Sequence, residues 1–133
     1  MSCSFQEKYE DKLHHELMKL DETIFDNYSF VIIIPEEGCS GCISEAESFY
    51  LEHKNDPQIF YIFTNISSIK SIKLRVGKDV INQRNVYIDI KNKFLSIDYN
   101  INVYPIILDI RNREKIEYKF LDPGIDLFLE ENN

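Results

Sequence analysis

The sequence predicts one α/β domain spanning residues 1–133, built on a central mixed sheet with helices on both faces and closed by a C-terminal β-hairpin plus helix. Three observations predict it. Residues 30–34 and 59–64 are unbroken apolar runs of β-branched and aromatic residues, the composition of strands covered on both faces. Between them, residues 43–53 carry Ala46, Phe49 and Tyr50 on one side of a helix, so strand, helix and strand form a right-handed βαβ unit with parallel pairing. Toward the C-terminus, two more strand-like stretches are joined by so short a link that they pair antiparallel.

Each element has its own signal. Residues 1–4 read as a disordered end. In residues 5–25, Tyr9, Leu13, Leu17, Leu20 and Ile24 recur at steps of four, four, three and four, an amphipathic helix that covers one sheet face. Adjacent His14 and His15 point about 100° apart on such a helix, so they read as surface residues and not as a chelating pair. Pro35 is expected to stop the ladder of the first strand. After the second strand, Ser67 or Ser68 caps a short helix carrying Ile69, Ile72 and Val76, and Gly77 ends it.

Residues 78–84 read as a second short helix or a loop, residues 86–90 as a strand by composition, and residues 94–99 as one or two helical turns. The hairpin comprises residues 104–110 and 115–120, turning at residues 111–113, and its second strand alternates as an edge strand does. Asp122 and Pro123 then open a closing helix with Ile125, Leu127, Phe128 and Leu129.

At 133 residues the chain can bury a core without metal or a disulfide framework. Hydrophobic content of 44% with 29% charged residues is that of a globular domain, and no apolar run reaches membrane-spanning length. A net charge of -8 argues against a nucleic-acid partner and is otherwise read as a solvated acidic surface. No apolar segment precedes Met1-Ser-Cys-Ser, so no signal peptide is read in this chain. Cys3 is either a free terminal thiol or, were a lipoprotein signal already removed, a lipid anchor.

The candidate chemistry lies in Cys39-Ser40-Gly41-Cys42, directly after the first buried strand. Cys39 falls at a helix N-terminus, where orphan N–H groups and the positive dipole end favour a thiolate, the form that attacks disulfides. Cys42, one turn on, can close a disulfide with it. Redox chemistry, a merely structural pair and metal binding are the three readings. Zinc needs two further ligands, and Cys3, His14, His15 and His53 offer no paired spacing, so neither a metal nor a cofactor is expected.

Element order, Cys39-Ser-Gly-Cys42 after a buried strand, Tyr104-Pro105 opening the next-to-last strand, and the run of residues 86–105 together resemble the thioredoxin superfamily. Because the material between Thr64 and Val86 makes it longer than a bare thioredoxin, the chain is more similar to bacterial extracytoplasmic thiol-disulfide oxidoreductases and their peroxiredoxin relatives. The resemblance implies a thioredoxin-like fold and thiol-disulfide exchange with protein thiols or disulfides, with Cys39 attacking and Cys42 resolving. It implies a cis Pro105 against the cysteine pair, with Tyr104, Pro105, Ser40 and Gly41 contacting the substrate chain. It also favours the cell envelope over the cytoplasm, and leaves the oligomeric state undetermined.

Three positions depart from the family. Ile33 stands where its buried acid would be, Gly38 where an aromatic precedes the first cysteine, and Glu36 where peroxiredoxins carry the Thr that polarises peroxide. Glu36 and Glu37 read as surface carboxylates that could otherwise take the Cys42 proton. The missing acid keeps open the alternative of a redox-inactive thioredoxin-like module that holds a protein partner.

Overall fold

A computed structural model of the chain describes residues 5–95 and 104–121; the closing helix and most of the turn expected at residues 94–99 lie outside the described residues, as do residues 1–4 with Cys3. In chain order the elements are α1 (Phe5–Asp21), α2 (Ile24–Asn27), β1 (Phe30–Pro35), α3 (Ser40–His53), β2 (Ile59–Thr64), α4 (Ile69–Val76), a 3-10 turn (Lys78–Asn82), β3 (Val86–Ile88), β4 (Ile106–Asp109) and β5 (Glu117–Phe120). The strands form one five-stranded sheet in the order β3-β2-β1-β4-β5. β1, β2 and β3 are parallel, while β4 runs antiparallel to β1 and β5 antiparallel to β4. The molecule is therefore α/β with a mixed sheet.

Alternation along the central strands makes two cores. Phe30, Ile32 and Ile34 of β1 and Ile59, Tyr61 and Phe63 of β2 pack beneath Ile43, Ala46 and Tyr50 of α3 and Ile72 and Val76 of α4. On the opposite face, Val31 and Ile33 of β1 and Phe60 and Ile62 of β2 meet Tyr9, Leu13 and Leu17 of α1 and Ile24 of α2. Because both faces are covered, β1 and β2 are buried along their whole length, which is why neither alternates in sequence.

Several boundaries differ from the sequence expectations. The single helix expected over residues 5–25 is broken after Asp21, whose carboxylate accepts from Thr23 N at 3.0 Å and Thr23 Oγ1 at 2.6 Å. That local bond competes with the helical one and turns the chain into α2. Pro35 does not stop the β1–β2 ladder: it pairs with Thr64, and Glu36 N donates to Thr64 O at 2.9 Å one step further. Only the antiparallel side ends early, at Ile33↔Ile106.

β3 is shorter than residues 86–90, because the Asp89 carboxylate turns inward to accept from Thr64 Oγ1 (2.8 Å), Lys93 N (2.9 Å) and Phe94 N (2.8 Å). Asp89 N still donates to Phe63 O at 2.8 Å, and beyond it the chain leaves the ladder in a tight turn that exposes Ile90. Residues 78–84, ambiguous by pattern, begin as the 3-10 turn behind Gly77, whose φ of +106° ends α4. β4 and β5 form the expected hairpin, β5 with alternating exposure.

One expectation is corrected outright. Among the described residues there is no cis peptide bond, so Tyr104–Pro105 is trans. An X–Pro bond prefers trans by about 0.5–1 kcal/mol unless the fold demands otherwise. Here the trans residue already serves the sheet, its carbonyl accepting from Leu121 N at 2.8 Å.

Candidate functional site

The β1–α3 connection is the candidate site. β1 ends at Pro35, Glu36 extends the hydrogen bonding to β2 by one step, and the exposed Glu37 and Gly38 lead to Cys39. Gly38 has φ +146°, a backbone state that side-chain-bearing residues rarely adopt, which favours glycine at this position.

Cys39 is the N-cap of α3. Its backbone is extended (φ -69°, ψ 102°), its carbonyl accepts from Ile43 N at 2.9 Å, and its Sγ accepts from Cys42 N at 3.3 Å. The sulfur thus occupies the place an Asp or Ser oxygen takes at a helix start, facing an N–H that has no partner within the helix. Cys39 and Cys42 are joined by a disulfide, with Cα atoms 5.3 Å apart. Exposure separates the two. Cys39 is half-buried and flanked by the exposed Ser40 and Gly41, whereas Cys42 is 1% exposed. Cys39 is thus the more exposed residue of the pair.

Extending the antiparallel register by one and two steps sets Pro105 opposite Ile34 and Tyr104 opposite Pro35, at the sheet end from which the cysteine loop departs. Tyr104 and Pro35 line the same narrow cleft of about 10 Å³ with Thr64, too small for more than a single water. Tyr104 packs edge-on against Phe120 at 5.5 Å, and Pro105 is buried. Ser40, Gly41, Tyr104 and Pro105 therefore all lie at one end of the sheet, with the pair at the mouth of α3.

The flanking carboxylates are not equivalent. Glu37 is exposed, as expected. Glu36, expected to be plain surface charge, instead accepts from Ser67 N at 2.6 Å, from Ser67 Oγ at 3.1 Å and from Ser71 Oγ. Burial pushes its carboxyl up, but these hydrogen bonds, aided by the positive charge of Arg75, outweigh burial and hold it below the usual carboxylate range. Its lone pairs face α4, so it is ill-suited to take a proton from Cys42. Ile33, where the thioredoxin-like resemblance would expect an acid, is 3% exposed within the apolar core under α1.

Pattern reading missed the fully buried Asp89, bonded to Thr64 at the same end of the sheet. Its signal was available: an Asp at the end of a strand, followed by Ile-Lys-Asn-Lys, reads as a turn-capping side chain. Among the described residues, no group of three His, Cys, Asp or Glu side chains is arranged to hold a metal ion. No helix among them is long and apolar enough to cross a membrane. Neither a protein-family model nor a curated protein nor a solved structure matches the chain.

Proposed function

We propose that this chain is a thioredoxin-like thiol-disulfide oxidoreductase that acts on protein thiols or disulfides through Cys39 and Cys42. The observation that carries the proposal is the asymmetry of the pair: a partly exposed cysteine at a helix N-cap, bonded to a buried one in the first turn. The strand order with its antiparallel hairpin also supports the thioredoxin-like reading.

In the dithiol form, Cys39 attacks as the thiolate, its charge favoured by the Cys42 N–H and the α3 dipole. Its Sγ bonds to one sulfur of the substrate disulfide, and the other substrate sulfur leaves as a thiolate and takes up a proton. Cys42 then loses its proton and attacks Cys39 Sγ, which releases the second substrate sulfur as a thiolate. Two electrons pass from the pair to the substrate, and Cys39–Cys42 ends as the disulfide. The same steps in reverse oxidise a substrate dithiol.

A redox titration of the protein against glutathione, read by alkylation mass, tests the proposal. A reversible two-electron couple is the expected result. Two observations favour the second reading, a module that holds a protein partner without exchange: the apolar Ile33 in place of an acid and the trans Pro105. A pair that never equilibrates with glutathione over the accessible range would select that reading.

A further inference from the structure

The geometry points to Glu36 as a positioning residue for Cys39, a role that rests on the oxidoreductase reading and gives its loop a second anchor. Glu36 lies three residues before Cys39 and is fixed through both its backbone and its side chain. Its N–H donates to Thr64 O at 2.9 Å, and its carboxylate accepts from Ser67 N, Ser67 Oγ and Ser71 Oγ. All three side-chain partners belong to the start of α4, where Ser68 caps the helix by accepting from Ser71 N at 3.0 Å.

α4 is in turn held to α3. Arg75 Nε and Nη2 donate to the two carboxylate oxygens of Glu47 at 2.6 and 2.9 Å, a bidentate pair between the helices. The loop from Glu36 to Cys39 is thus spanned between two braced points, the α4 N-terminus and the α3 N-cap.

The consequence concerns the reduced state. With the disulfide open, Cys39 keeps only its N-cap contacts, and exposed Glu37 and Gly38 offer the loop little to hold it. The Glu36 clamp limits how far Cys39 can leave the α3 terminus, and the thiolate is favoured there only within the first turn. Glu36 touches neither sulfur in this role. It preserves the place where the helix acts on one.

The test is the pH dependence of Cys39 alkylation by iodoacetamide in the reduced protein, with Cys39 resolved by peptide mass. E36A removes both charge and acceptors, E36Q removes the charge but keeps an acceptor oxygen, and the double variant S67A/S71A removes two donors while leaving the carboxylate. E36A and the serine variant should shift the profile to higher pH by about one unit, a roughly tenfold loss of rate at neutral pH, while E36Q stays near wild type. An unchanged profile in the serine variant would overturn the inference. So would an equal shift of E36A and E36Q to lower pH, the mark of a carboxylate acting only as a nearby charge. Should E36A not fold, the serine variant and E36Q carry the decision. Alkylation needs no turnover, so a wild-type pair inert to glutathione would defeat the oxidoreductase reading separately.

Discussion

At the C-terminal end of the parallel strands, Glu36 and Asp89 each accept three hydrogen bonds from neighbouring segments, and Cys39 caps a helix. The N-terminal end opens instead into a polar groove of about 790 Å³ lined by residues such as Tyr28, Lys54, Asp79 and Arg84. In the groove the charges pair at the surface, Lys54 Nζ with Asp79 at 2.8 Å. This groove and the Cys39–Cys42 pair therefore lie at opposite ends. Volume is the usual guide to a small-molecule site, but thiol exchange with a protein needs only an accessible sulfur in a fixed electrostatic setting. What distinguishes the cysteine end is that two carboxylates, Glu36 and Asp89, each take three hydrogen bonds there.

The largest expected effect tests whether that end is the more tightly built. Asp89→Ala leaves Thr64 Oγ1 and the Lys93 and Phe94 N–H groups without their acceptor, and should cost about 3 kcal/mol in urea unfolding. At the groove end, Asn85 Nδ2 donates to Lys54 O and Ile59 O. Its replacement by Ala strands two carbonyls, which tolerate this better than N–H groups, and should cost about 1 kcal/mol. Equal costs would remove the contrast.

A smaller, pH-dependent effect should appear for Glu36. Its carboxyl is held low in the folded state, so its contribution to stability is fully present above the unfolded value of about 4.3 and is lost as pH falls through the lowered folded value. Asp109, held low by the Arg111 hydrogen bonds, adds to the same acid limb, so the informative quantity is the difference between wild type and E36Q. That difference should be greatest near neutrality and shrink toward zero in acid. A difference constant with pH would mean the Glu36 charge is not what its partners stabilise.

The smallest effect is expected at Tyr50. Among the described residues, its hydroxyl is the one buried side-chain polar atom without a hydrogen-bond partner. Burial, with the negative charge of Asp79, pushes its phenol up to about 12. Tyr50→Phe keeps the edge-on ring contacts to Tyr61 and Phe63 and removes only the unpaired group, so stability should change by less than about 0.5 kcal/mol or rise. A loss above about 1 kcal/mol would show that the hydroxyl is bonded after all.

Local sequence determined most of the architecture. Apolar runs at residues 30–34 and 59–64, the Ser68 and Gly77 caps and the short hairpin link each act within one element or across one turn, so they are readable without knowing what lies opposite. The placement of Cys39 at a helix start was legible for the same reason. What spacing cannot carry is contact between distant segments. The partners of Glu36 lie 31 and 35 residues away, and the Asp89 partner Thr64 lies 25 away, so whether a carboxylate is surface charge or anchor was decided only by packing α4 and β3 beside β1 and β2. The trans Pro105 belongs with these: an X–Pro bond holds so small an intrinsic preference that the surrounding fold decides its isomer.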